Sequence, residues 1–148
     1  MSTASDPLER FVRAQDRDYE QALAELSSGW KRTHWIWYVL PQLRELGQSQ
    51  VAREYGITGR SEAASYFKHP ILGPRLVQCV NAMLGHSNRS AVEILGDLDA
   101  MKFRSCLTLF SEVVPAEPAF SKALAVFYQG NADNETLRLL GTTATPPG

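Results

Sequence analysis

Two short stretches hold the side chains from which chemistry could be built. The first, Trp30 to Gln42, contains all three tryptophans, Trp30, Trp35 and Trp37, interleaved with Lys31, Arg32, His34 and Tyr38 and closed by Pro41 and Gln42. Such a cluster should line either a core or a pocket wall. Indole faces hold planar rings and an imidazole exchanges protons near neutral pH. Trp35, Trp37 and His34 are therefore candidates to stack a base or sugar, with His34 a candidate general acid or base. Lys31 and Arg32 precede what reads as a helix start, where free amides and the helix dipole favour an anion that Arg32 could chelate. Gln42 offers an amide at the helix break made by Pro41. The second stretch carries Lys102 and Ser105, neighbours on one helix face, where an ammonium group can meet a phosphate or a developing negative charge.

Each of these residues also has a structural use. Large aromatics mostly pack cores, and residues two apart on a helix point about 200° apart, so at most one of Trp35 and Trp37 should face a ligand. Lys31 and Arg32 could form a solvated turn, and Lys102 could pair with Asp97 or Asp99. Gln42 is expected to satisfy backbone groups left open at the break. His69 and Arg75 flank the Pro70 and Gly73-Pro74 turns, and turn stabilisation explains them more simply than an anion site does. Known catalytic templates are missing: there is no GxSxG, HExxH, phosphate loop or dinucleotide-binding GxGxxG. Cys106 lies in an inward stripe, Glu45, Glu93 and Asp97 have no pairing spacing, and no ligand cluster implies a metal or cofactor.

Composition narrows the classes further. A chain of 148 residues suits one domain and can bury roughly 70% of its unfolded surface. A net charge of -1 provides no global field to hold nucleic acid or an anionic membrane, so any anion site must be local. No apolar run approaches the roughly 18 residues of a membrane span, and no leader-like apolar stretch follows Met1. Cys79 and Cys106 sit in apolar stripes and read as reduced core thiols, which suggests a cytoplasmic protein.

The elements that must position these residues are helices. Asp6-Pro7 opens one whose stripe is Leu8, Phe11, Val12, Gln15, Tyr19, Ala22, Leu23 and Leu26, up to Gly29. Thr33 can cap a second, apolar nearly all round, from His34 to Leu40, which should be central and buried. Val51 to Tyr55 predicts a short helix, Ser61 can cap another up to Phe67, and Gly73-Pro74 opens a longer one along Leu76, Val77, Val80, Met83 and Leu84. Ser90 and Glu93 form a capping-box pattern. After Asp97 or Asp99 comes the clearest stripe, Phe103, Cys106, Leu107, Phe110, Val113 and Val114, with Met101 and Leu109 elsewhere on the circumference. Phe120 to Tyr128 and a last helix capped by Asp133 complete the chain. The expectation is all-α: one multihelical domain over 6–140 with two buried central helices, between a flexible N-terminus at 1–5 and a disordered tail at 141–148.

Several of these motifs carry a resemblance. Asp6-Pro7, Arg10-Phe11, Ala14-Gln15 and Tyr19, then Lys31-Arg32, His34-Trp35, Trp37 and Pro41-Gln42-Leu43, resemble the DUF1810 family of small bacterial proteins of unknown function. So do Leu72-Gly73-Pro74-Arg75-Leu76, Lys102 with Ser105, Thr108-Leu109-Phe110 and Thr136-Leu137. The resemblance spans roughly residues 5 to 140 and implies a multihelical domain with two buried central helices. Members are sometimes labelled calpastatin, yet nothing here resembles the long repetitive inhibitor of that name. The C-terminal order of Lys/Arg, Phe, helix and Thr-Leu is similar to the helical NADAR group, which acts on ADP-ribosyl compounds, a link by analogy only.

Two functional readings follow. In one, Arg32, His34, Trp35, Trp37, Gln42, Lys102 and Ser105 bind a small phosphate-bearing, nucleotide-like (ADP-ribosyl) ligand, with His34 and Lys102 the candidate catalytic groups. In the other, the chain is a noncatalytic protein-interaction domain whose aromatic cluster is core. A pocket lined by His34, a tryptophan and Lys102 would separate them.

Overall fold

The computed structural model describes residues 6–141. Within them the apolar spacing becomes nine α-helices, and the only extended pairing is a parallel bridge between Leu43 and Ile57. α1 (Glu9–Ser28) follows a turn in which the Asp6 carboxylate accepts the Leu8 amide at 2.9 Å. Gly29 ends it at φ 80°, in the left-handed region that favours glycine. There follow α2 (Ile36–Val39), α3 (Gln50–Tyr55), α4 (Arg60–Lys68), α5 (Leu72–Leu84), α6 (Ala91–Leu95), α7 (Asp97–Val113), α8 (Pro118–Tyr128) and α9 (Asn134–Leu139). Ser90 and Glu93 form the complete capping box on α6, and Asp133 accepts the Thr136 amide at the start of α9. α4 differs from expectation, with Gly59 rather than Ser61 before it. The Glu62 carboxylate takes the Thr58 amide at 3.0 Å, so the chain enters the helix from Thr58-Gly59.

α7 is the central helix. Every residue from Ser105 to Phe110 is buried, including Leu109, because α4, α6, α8, α9 and α2 all pack against it. An aromatic chain crosses the core: Phe11 on α1 meets Tyr66 on α4 with ring centroids 5.0 Å apart, Tyr66 meets Phe110 on α7 at 5.6 Å, and Phe110 meets Phe120 on α8 at 5.5 Å. Cys79 and Cys106 are free and buried, and burial pushes both thiols up, Cys79 to about 12.

The Trp35–Leu40 segment is buried throughout, as expected, but only one turn of it is helical. Thr33 does not cap that turn, because its hydroxyl donates to Glu25 at 2.6 Å. The chain arriving at α2 is thus tied to α1 rather than wound into a longer helix. Gly47 then passes so close to Trp37 that an added Cβ would lie 2.7 Å from the ring, so no larger residue fits there without displacing the indole. No described helix is long and apolar enough to cross a membrane. The expectations for residues 1–5 and for 142–148 lie outside the described residues.

Candidate functional site

One carboxylate shapes the tryptophan-rich segment. Glu25, on α1, is fully buried. One of its oxygens accepts the amides of Arg32 at 2.8 Å and Thr33 at 3.1 Å and the Trp35 indole N–H at 2.9 Å. The other accepts the Thr33 hydroxyl at 2.6 Å and the Gln21 amide at 2.8 Å. Burial by itself would raise this carboxyl, but these hydrogen bonds outweigh it and hold the group well below the usual carboxylate range. The consequence corrects the sequence reading. The amides offered as an anion cradle are already spent on an internal carboxylate, and a four-residue α2 has little dipole to add. Arg32 turns outward instead, its guanidinium 5.5 Å from the centroid of Trp30, an indole 61% exposed. Trp30 therefore does not belong to the core.

Lys31 is not a solvated turn residue. Its amide donates to the Ile94 carbonyl at 2.8 Å and its side chain is only 5% exposed, with Nζ 2.7 Å from Asp99 and 4.9 Å from the Trp35 ring centroid. Asp99 belongs to the first turn of α7, and its other oxygen lies 3.5 Å from Lys102 Nζ, which stands 5.9 Å from the Trp37 ring centroid. Asp99 therefore sits between two ammonium groups, and of the two carboxylates suggested for Lys102 it is the one used.

These groups meet at a cleft of about 420 Å³. His34, Trp35, Trp37 and Lys102 all line it, together with Lys31, Arg17, Tyr38, Tyr55 and Asp99. Arg17 is paired with Asp18 at 3.5 Å while Lys31 and Lys102 share Asp99, so the positive excess of its walls comes from the two lysines. Trp35 and Trp37 are 2% and 8% exposed, so both indoles mainly pack and offer the cleft little of their surface. Tyr38 caps one end: its hydroxyl meets the Asp18 carboxylate, burial pushes the phenol up to about 12, and its ring is 5.0 Å from that of Tyr55.

Gln42 and Ser105 lie elsewhere. They line a neighbouring hollow of about 270 Å³ with Leu46, Leu98, Met101, Asp133 and Glu135, and Lys102 borders both this hollow and the cleft. The Ser105 hydroxyl donates to the Met101 carbonyl at 3.2 Å. Gln42 does not satisfy the chain break: it is 2% exposed and its Nε2 has no hydrogen-bond partner among the described residues. His69 does stabilise its turn, with Nδ1 accepting the amides of Ile71 and Leu72 at 3.1 and 3.3 Å. Arg75, 3.6 Å from Asp16 and stacked over Tyr19, is outside the cleft.

The sequence reading missed Glu25, Arg17 and Tyr55 as cleft-forming residues, named Tyr38 only as a member of the aromatic cluster, and used Asp99 only as an ion-pair partner. Glu25 had a signal, a carboxylate between Ala22 and Leu26 on the apolar face of α1. Tyr55 had none, since only tertiary packing carries α3 to α2.

The fold and site define a small all-helical protein with a cationic, aromatic-walled cleft at the start of its central helix. The chain belongs to the family described as "Protein of unknown function (DUF1810)", whose model matches residues 5–140. It is similar to the crystal structure of the conserved hypothetical protein Rv1873 from Mycobacterium tuberculosis, with 44% identity, a TM-score of 0.90, and coverage of 93% of this chain and 100% of that one. No curated protein matches the chain.

Proposed function

We propose that the cleft binds a small phosphate-bearing, nucleotide-like ligand, with ADP-ribosyl compounds as the class to test first. The observation that carries this reading is the convergence of the segment holding His34 and Trp37 with Lys102, distant in sequence, on one cleft with a cationic excess. Lys102, partly exposed and only half neutralised by Asp99, is the phosphate-facing group, and Lys31 lends charge from below. Trp35, Trp37, Tyr38 and Tyr55 give a planar group apolar surface. His34, exposed at the rim, is the proton-transfer candidate if the ligand is also a substrate. Arg32, turned outward beside Trp30, is assigned no contact with the ligand.

Binding to the folded state alone raises stability, by about 2.7 kcal/mol at a hundredfold excess over Kd. The test is a thermal-shift series with ADP-ribose, NAD and mononucleotides on wild type, Lys102→Ala and Arg32→Ala. A shift that is lost in Lys102→Ala and kept in Arg32→Ala supports the reading. If no compound shifts the wild type at millimolar concentration, the cleft reading fails. A second reading, a noncatalytic interaction domain, then takes its place. It is favoured by Leu98 and Met101, 72% and 68% exposed and one turn apart on α7.

A further inference from the structure

The Gln42 hollow differs chemically from the cleft beside it. Gln42 is 2% exposed, yet its Nε2 has no acceptor among the described residues, and a buried donor without a partner destabilises the free protein. A partner that arrives from outside would account for it. Lys102 adds a donor from α7, and Ser105, whose O–H goes to the Met101 carbonyl, adds an accepting hydroxyl oxygen, while Asp133 and Glu135 bring carboxylates from the start of α9. Asp133 spends one oxygen on the Thr136 amide and hydroxyl at 2.9 and 2.6 Å, and Glu135 is paired with Arg138.

Carboxylates at that wall repel a phosphate, and donors at the other are wasted on an apolar group. The groups that suit both walls donate and accept at once, and a ring bearing several hydroxyls has them in number. Lys102 is shared with the aromatic cleft, so a phosphate held there would stand between the two spaces. We propose that the Gln42 hollow is a hydroxyl-reading subsite for a sugar. The ligand is then a nucleoside whose phosphate, at Lys102, is joined to a second sugar. This rests on the cleft being a nucleotide site.

Calorimetric titration of the whole chain with ADP and with ADP-ribose, which adds the second sugar, tests it. ADP-ribose is expected to bind about tenfold tighter than ADP, the effect of roughly one well-made hydrogen bond to a buried group. Gln42→Leu should abolish that advantage, leave ADP affinity within about twofold, and raise the Tm of the free protein by removing the orphaned donor. Ser105→Ala, which deletes only a hydroxyl, is the second variant and should lower ADP-ribose affinity without altering that of ADP. ADP binding with no preference for ADP-ribose, or a Gln42→Leu effect equal on both ligands, overturns the subsite and leaves the cleft reading standing. Failure of both ligands to bind overturns both.

Discussion

Replacing Glu25 with Gln tests the account of how the cleft wall is built. Three of the donors on this carboxylate cannot turn away: the Arg32 and Thr33 amides and the Trp35 indole N–H, at 2.8, 3.1 and 2.9 Å. The Thr33 hydroxyl can rotate and the Gln21 amide can flip, so a neutral amide at 25 still finds partners there. What is lost is the charge assistance on the three fixed bonds. A hydrogen bond to a charged group contributes about 1 kcal/mol more than a neutral one, giving a cost of about 3 kcal/mol in a urea melt at pH 7. That corresponds to roughly 10 °C in Tm for a domain of this size. The pH dependence follows from the lowered carboxyl. Because folding depresses its pKa, the stabilisation is complete above the unfolded value of about 4.3 and is lost as pH falls through the folded value. Each pH unit below about 4.3 removes about 1.4 kcal/mol while the folded group stays ionised. The gap between wild type and Glu25→Gln should therefore narrow by pH 3. A cost under 1 kcal/mol at pH 7, or a gap that does not change between pH 7 and pH 3, refutes the reasoning.

Asp99→Asn should cost about 3 kcal/mol in the same melt, since it leaves the Lys31 ammonium, 5% exposed, without its charge partner. Lys102→Ala removes the more exposed member of the triad and should cost under about 1 kcal/mol; equal effects would mean that Asp99 does not discriminate between them. Leu107→Ala, at the fully buried centre of α7, should cost roughly 2 to 5 kcal/mol, and a loss below about 1 would misplace the core. Cys79 and Cys106 should react with a thiol reagent only as fast as the native state opens, and rapid labelling of either would contradict their burial and raised pKa values.

Most of the fold was legible because its signals are local. The Ser90–Glu93 box, the Asp133 cap and the Phe103–Phe110 stripe each need only a few residues to act, and each stands where the sequence puts it. The errors fall where a distant group intervenes. Thr33 has the side chain of a helix cap, but a carboxylate on α1 eight residues earlier takes its hydroxyl and the amide beside it, and α2 shrinks to one turn. Ser61 loses its expected place to Gly59 because Glu62 also serves Arg10, across the chain on α1, with oxygens 3.0 and 3.1 Å from the guanidinium. Local propensity proposes an element, and tertiary hydrogen bonding decides its length.

The same division explains the site. Residue types pointed to His34, Trp35, Trp37 and Lys102, which line the cleft, but not to Arg17 or Tyr55, and the source of positive potential was misassigned. A helix start is a generic anion site only while its amides are free, and here an internal anion, Glu25, occupies the one beside Trp35. The positive charge that remains for a ligand belongs to side chains, and it lies not at Arg32 but at Lys102 and Lys31 around Asp99. A ligand anion there must compete with Asp99 for Lys102, the partly exposed member of the triad. Lys31, nearly buried, keeps Asp99 neutralised if Lys102 turns toward a phosphate. The triad can thus release one ammonium without stranding a carboxylate. That asymmetry makes Lys102, and not Arg32, the residue whose loss should cost ligand binding far more than stability.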